Sequence, residues 1–255
     1  MPLDQEPPPP EASLSDPPPA TGRDVFWGYM DVLVFAGLTI PSLLLGDVFV
    51  KLTMTLFHWH ARFEAAEAVP AQFLGYLILF GLLALLLRLE YERPFWKSLG
   101  WRRMEWPPLA IVLCGFTAAL GVAWIGSHIR LPNGSTPMTD LMENRTAVLL
   151  MGIFGTTAGP LCEELSFRGL LQPLLVRSLG VFPGIVATAI PFGFLHFHEY
   201  GNSIGYASLV SLAGVAFGWM RHRTGSTKAS TLMHASYNAF VILVMLRGED
   251  LPKAW

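Results

Sequence analysis

Seven long apolar runs limit what this chain can fold into. The clearest covers residues 71–87, reads in part FLGYLILFGLLALLL, and carries no acidic or basic side chain. Such a run is typical of a transmembrane helix. Over the whole chain 52% of residues are hydrophobic and only 14% are charged, whereas soluble domains average about 25% charged. We therefore predict an all-α, polytopic transmembrane helix bundle of about seven spans, within a range of six to eight.

The composition divides the chain into four parts. Residues 1–22 hold eight of the twenty prolines, so we predict a disordered, Pro-rich cytoplasmic tail. Residues 23–145 carry three apolar runs without a recognised motif, and residues 146–246 carry the other four. Residues 247–255 form a short C-terminal tail. The net charge is −2 and the sequence has no basic stripe, so no nucleic-acid partner is indicated; nothing indicates the oligomeric state.

The placement of the basic residues predicts the orientation in the membrane. The runs cover residues 25–50, 71–87, 109–129, 146–177, 182–196, 204–220 and 230–246. The first contains Pro41 and Asp47, and residues 51–68 are predicted as an interfacial link. Lys and Arg favour loops on the cytoplasmic side. With seven spans, nine of these residues lie in inner loops and four in outer ones. We expect an integral, multi-pass protein of a bacterial cytoplasmic membrane, with its N-terminus in the cytoplasm.

The fourth run contains an unusual polar group, in the stretch GPLCEELSFRGLLQ at residues 159–172. An ionisable group at membrane depth costs about 3 kcal/mol and usually has a function. Glu164 and Arg168 are four residues apart, so on a helix they share a face and can pair. Glu163 points about 100° away, with Phe167 at its i+4 position. One carboxylate is therefore neutralised, and Glu163 is available for chemistry.

Two later runs carry histidine motifs. Phe192 and His196 share one helix face, and so do His234 and Asn238. Each histidine alone could be a core imidazole bonded to a backbone carbonyl, but polar groups in lipid need partners. The simplest arrangement gathers Glu163, His196, His234 and Asn238 into one polar cavity. His198 and Glu199 follow the fifth run directly, a position that favours a solvated interface.

The side chains of this cavity are of the types that catalyse hydrolysis. A carboxylate and an imidazole can activate a water molecule, and an imidazole and an amide can donate to an oxyanion. This combination is suited to hydrolysis of an amide inside the membrane. One carboxylate with two histidines also matches a catalytic zinc site, with Glu163, His196 and His234 as ligands. The residues alone leave both the zinc-dependent and the metal-free variant open.

The ordered motifs Glu163-Glu164-x-x-x-Arg168, Phe192-x-x-x-His196 and His234-x-x-x-Asn238 resemble those of the CPBP family. This family contains the CAAX prenyl endopeptidases of the Rce1 type and the bacteriocin-processing or immunity proteins, also called Abi. The resemblance covers roughly residues 146–246. It implies that Glu163 activates water with help from His196, and that His234 and Asn238 stabilise the oxyanion. Glu164, Arg168 and Phe192 would be supporting residues.

The resemblance implies a membrane-associated peptide or protein substrate. A prenylated CAAX tail, a bacteriocin leader and a membrane regulator all fit. Two functions from other classes are also consistent with intramembrane carboxylates and histidines. An ion-coupled transporter would use them to relay protons, although no internal repeat favours this. A non-catalytic immunity protein would not need them for chemistry.

The depth of the two central residues is a constraint on this hypothesis. At 1.5 Å per residue, a straight helix places Glu163 about 27 Å from Arg145 and His196 about 21 Å from Phe182. In perpendicular helices the two side chains would lie at different depths. Helix tilt, a break at Gly159 and Pro160, or a kink at Pro191 would have to bring them together.

Overall fold

The computed structural model describes residues 25–129, 131, 134–142 and 144–247, and every regular element in this part is a helix. The tail predicted over residues 1–22 lies outside the described residues, as do residues 248–255. The α-helices are α1 (Tyr29–Leu56), α2 (Ala65–Leu89), α3 (Phe95–Ser98), α4 (Pro108–Gly126), α5 (Pro137–Leu141), α6 (Arg145–Thr156), α7 (Ala158–Glu164), α8 (Gln172–Leu179), α9 (Val181–Leu195), α10 (Ile204–Thr224) and α11 (Thr227–Arg247). Between α7 and α8, Leu165–Leu171 form a π-helix, called the π segment below.

Five helical stretches of the described chain are long and apolar enough to cross a membrane. Four are the single helices α1, α2, α4 and α11, and the fifth is the composite stretch Arg145–Leu179. The apolar helix α9 is shorter, at 15 residues, and α10 has 21 residues. These seven stretches correspond to the seven apolar runs. The predicted polytopic, all-α bundle is therefore confirmed, with five helices that meet the length and hydropathy of a full span.

The helices α1 and α2 pack against each other and are longer than the runs that predict them. Helix α1 continues through Pro41 to Leu56, and α2 begins at Ala65. Residues 51–56 and 65–68 are thus helical, so the link between α1 and α2 is shorter than predicted, and its position at the membrane interface stays a prediction. Lys51, near the end of α1, contacts acidic side chains: its Nζ lies 3.0 Å from Asp47 and 3.6 Å from Glu67 on α2.

Glycines allow the close approach of α1 and α2. A Cβ atom on Gly46 would lie 2.7 Å from the backbone nitrogen of Gly75 and would collide with the carbonyl of Ala71. Small residues at helix crossings are favoured in lipid because the backbones can then approach closely. Gly46 and Gly75 therefore determine how closely α1 packs against α2.

We expect Gly46→Val to destabilise the protein by about 1–3 kcal/mol, because the added side chain overpacks this crossing. Thermal unfolding of the purified protein in detergent measures the effect. Gly37→Val on the same helix is the matched control, since nothing lies within 4 Å of a Cβ atom at Gly37. Equal melting temperatures for the two variants would contradict the packing of α1 on α2.

The second half of the bundle is built from α4, α9, α10 and α11, with α9 packed on α10 and α4 on α11. Their buried apolar side chains form one cluster of Ile111, Val122, Phe192, Leu209, Ala213, Phe217, Met220, Ala229 and Met233. Helix α10 ends at Thr224 and is capped by Gly225, whose φ of +62° is in the left-handed region that favours glycine. Helix α11 begins two residues later, and this short turn holds it beside α10.

The fourth apolar run is interrupted twice around the glutamates. Thr157 separates α6 from α7 with φ −128° and ψ −89°, outside the helical range. This break precedes the predicted one, at Gly159 and Pro160, by two residues. After Glu164 the chain enters the π segment, and such turns are rare and often lie at functional sites. The fourth run is therefore a series of short helical segments. Side chains on either side of a boundary between segments can point in different directions from those of a continuous α-helix.

Candidate active site

Glu163 and Glu164, at the end of α7, have different surroundings. The Glu164 side chain is fully buried, and its Oε1 lies 3.0 Å from Nη1 of Arg168, which is also fully buried. Glu163 keeps 22% of its side-chain surface exposed, and its ionic contact is with His234. Helical spacing predicts this Glu164–Arg168 pair. Glu163 stays outside it.

The imidazole of His234 lies between the two carboxylates. Its Nδ1 is 3.1 Å from Oε1 of Glu164, and its Nε2 is 3.7 Å from Oε2 of Glu163. An ionised carboxylate only accepts hydrogen bonds, so Nδ1 carries a hydrogen in this contact. The ring of Phe217 stacks on the imidazole, with 4.4 Å between centroids. These contacts aim Nε2 at Glu163. The sequence does not single out Phe217, because an aromatic residue in an apolar helix is ordinary.

Two polar side chains attach the fourth run to the backbone of α10. Arg168 donates from Nη2 to the carbonyl of Gly214, and Gln172 donates from Nε2 to the carbonyl of Gly218, both at 2.9 Å. Arg168 and Gln172 are four residues apart, and so are Gly214 and Gly218. The two hydrogen bonds therefore lie about one helical turn from each other. A Cβ atom on Gly218 would lie 2.8 Å from Oε1 of Gln172. Gln172 is not among the predicted site residues, although its i+4 spacing from Arg168 could have indicated it.

His196 and His234 meet around the ring of Phe192. The Phe192 centroid lies 5.1 Å from that of His196 and 5.7 Å from that of His234, and the Arg168 guanidinium lies 4.3 Å from it. His196 follows the last residue of α9, and its Nδ1 lies 2.9 Å from the carbonyl oxygen of Phe192. That carbonyl takes the Nδ1 hydrogen and leaves Nε2 available. A chain of direct neighbours therefore links His196 to Glu163, through Phe192 and His234.

Asn238 lies one turn after His234 on α11 and holds the broken end of α6. Its Nδ2 donates to the carbonyl oxygen of Gly155 at 2.7 Å. The last carbonyls of a helix lack partners within the helix, so the amide supplies one where α6 stops. An asparagine amide has two donor hydrogens. The second is available to another acceptor in the site.

Glu199, between α9 and α10, interacts with the site electrostatically. Burial raises the pKa of its carboxyl group; His196 opposes this shift and Glu163 adds to it. Glu199 is half-buried, so its side chain is less solvated than that of His198, and the predicted solvated interface stays a prediction for this position. His198 is exposed, as predicted.

Glu163, His196 and His234 are the predicted ligands if zinc is used. Among the residues that the structure describes, no group of three or more His, Cys, Asp or Glu side chains is placed to hold a metal ion. His234 also directs its Nδ1 to Glu164. The three side chains thus do not form a zinc site in this arrangement, and no step below passes through a metal.

Residues 145–240 match a family model described as type II CAAX prenyl endopeptidase Rce1-like. No curated protein and no solved structure matches the chain. The match begins at the first residue of α6 and ends within α11, so it includes every predicted site residue and none of α1–α5. It supports the CAAX endopeptidase branch of the CPBP resemblance and gives no support to the Abi branch. Residues 145–240 are therefore similar to the type II CAAX prenyl endopeptidase Rce1-like family, and this similarity supports the CPBP/CAAX protease family.

Proposed function

We propose that this chain is an intramembrane endopeptidase that hydrolyses a peptide bond of a membrane-associated substrate, of the prenylated CAAX type that the family description names. The observation that carries the proposal is the division between the two adjacent glutamates. Glu164 is buried in an ion pair with Arg168, whereas Glu163 is partly exposed beside His234. A partly exposed carboxylate next to an imidazole is suited to general base catalysis.

In the proposed reaction, Glu163 takes one proton from a water molecule, and the water oxygen attacks the scissile carbonyl carbon. His196 assists, because the hydrogen on its Nδ1 is held by the Phe192 carbonyl and its Nε2 can accept from the second water hydrogen. The resulting intermediate is tetrahedral, with one new carbon–oxygen bond. Glu163 is then regenerated when its proton passes to the leaving amine and the carbon–nitrogen bond breaks.

The oxyanion of the intermediate needs donors that are already in place. His234 supplies one when its ring is protonated, because Nδ1 then keeps its hydrogen bond to Glu164 and Nε2 carries the second hydrogen. Asn238 supplies a second from the amide hydrogen that does not bind Gly155. Both residues lie on one face of α11, because they are four residues apart. The phenyl ring of Phe192 and the stacked ring of Phe217 restrict the motion of the His234 imidazole.

The protein in lipid nanodiscs should cleave a prenylated peptide that ends in a CAAX sequence, and mass spectrometry should detect the shortened product. The same peptide without its lipid is the matched control for substrate class. Chelation of metal ions should leave the rate unchanged, because no step depends on a metal. Ion transport into sealed vesicles without cleavage of any peptide would contradict the proposal, and so would full activity against the peptide in protein that lacks Glu163.

A further inference from the structure

A short segment outside the family match is bonded to the catalytic stretch. Residues 25–29, called the strap below, lead into α1. Trp27 of the strap is 3% exposed, and its indole N–H donates to the carbonyl oxygen of Leu170 at 3.0 Å. Two further bonds accompany this one, from Arg177 Nη1 to the Val25 carbonyl at 2.7 Å and from the Tyr29 hydroxyl to Ser178 Oγ at 2.7 Å.

The strap is also packed into the protein. Val25 and Trp27 belong to one buried apolar cluster that extends from α2 to α8, with Leu83, Leu87, Leu99, Leu165, Leu170 and Leu174. Phe26 stands edge-on to Trp27, with 5.0 Å between ring centroids. A buried tryptophan generally finds a partner for its N–H. Here the partner is a carbonyl of the π segment, so apolar packing and one directed bond act on the same element.

Leu170 lies where the helix returns from π to α geometry. The backbone N–H of Gln172 still bonds five residues back, to Phe167. A carbonyl oxygen has two lone pairs, so a carbonyl at this junction can also accept a hydrogen bond from a donor outside the helix. The indole N–H of Trp27 is such a donor. Its hydrogen bond to the Leu170 carbonyl stabilises the π turn at residues 165–171.

The π segment controls the position of Glu163 through four side chains in direct contact. Arg168, inside the segment, holds Glu164; Glu164 holds Nδ1 of His234; and Nε2 of His234 faces Glu163. If the π turn relaxed to α geometry, the residues of the segment would rotate relative to α10, because the two helical forms have different numbers of residues per turn. Arg168 could then not keep both its bond to the Gly214 carbonyl and its present contact with Glu164. Glu164 would no longer be held where it aims His234.

We propose that the strap is a positioning element of the active site, and that Trp27 positions Glu163 and His234 by holding the π segment through the Leu170 carbonyl. The expected change in kcat rests on the proposed function. The expected change in amide hydrogen exchange at the π segment does not depend on any activity. Residues outside the family match would then be required for full activity of the residues inside it.

Trp27→Phe keeps a buried aromatic ring and removes the N–H donor together with part of the volume of the indole. In the full chain we expect kcat for the prenylated peptide to fall by about 10- to 100-fold, the range for small misplacements of reacting groups, with KM unchanged. Amide hydrogen exchange at residues 165–171 should become faster, while exchange in α10 stays as in the wild type. Trp59→Phe is the matched control, since Trp59 is 65% exposed and should change neither measurement.

Several outcomes would overturn this inference. One is unchanged amide hydrogen exchange at residues 165–171 in Trp27→Phe. Another is faster exchange there with an unchanged kcat. A third is a lower kcat/KM that comes from a change in KM alone. If Trp27→Phe does not fold, Tyr29→Phe tests the same element, because it removes only a hydroxyl from a ring that is 49% exposed; its exchange and kcat should change in the same directions by smaller amounts. A wild-type protein that cleaves no peptide contradicts the proposed function, and exchange alone then decides on the strap.

Discussion

Glu163→Gln is expected to reduce peptide cleavage by about 10³-fold, within the range for loss of a general base, and to leave the protein folded. Glutamine has nearly the shape of glutamate but cannot accept a proton from water. The fold is retained because Glu163 is partly exposed and does not belong to the Glu164–Arg168 pair. Initial rates with the prenylated peptide and the thermal unfolding curve of the same preparation measure both parts of this prediction.

Glu67→Gln is the matched control for Glu163→Gln. It makes the same chemical change on α2, where Glu67 contacts Lys51 at 3.6 Å, and it should leave the cleavage rate as in the wild type. A Glu163→Gln protein that retains cleavage within about tenfold of the wild type would argue against Glu163 as the base, since loss of a general base typically costs more. If Glu163→Gln is inactive as expected, comparison of membrane proteomes from cells with Glu163→Gln and with Glu67→Gln should reveal the natural substrate as a C-terminus that stays uncleaved only with Glu163→Gln.

Glu164→Ala should have its main effect on stability. The substitution leaves the fully buried Arg168 without its anionic partner, and loss of one member of a buried ion pair costs about 3–5 kcal/mol. It also removes the carboxylate that holds Nδ1 of His234. We expect a lower free energy of unfolding in detergent micelles, together with loss of activity in the protein that remains folded. Glu163→Ala should have little effect on unfolding, although it is the adjacent residue.

A double variant distinguishes the effect of the two charges on stability from the effect of the volume that the two side chains fill. Glu164→Leu combined with Arg168→Met removes both charges and keeps apolar volume, so it should recover much of the stability lost in Glu164→Ala. It should not recover activity, because His234 still lacks its carboxylate. If Glu164→Ala unfolds at the same denaturant concentration as the wild type, the buried pair does not stabilise the fold as described.

The apolar runs and the i+4 spacings could be interpreted without a structure because both are local. A helix places Glu164 and Arg168 on one face whatever surrounds them, and a run such as residues 71–87 is helical in lipid because its backbone groups must pair within the segment. The membrane orientation, the N-terminal tail and the division into four parts stay predictions. The break at Thr157 is harder to predict, because the glycine and the proline that favour it are two and three residues away.

The sequence by itself determined the helical runs, the neutralised Glu164 and the three motifs that the family match contains. Only the tertiary structure decided which groups meet. His234 contacts Glu164 across 70 residues, Asn238 contacts Gly155 across 83, and Trp27 contacts Leu170 across 143. No local period encodes such contacts, since they depend on how helices of fixed shape pack together and where a π turn or a break redirects them. The surroundings of Glu163 depend on contacts of this kind, because a polar group buried in lipid needs a partner and His234 supplies one from another helix.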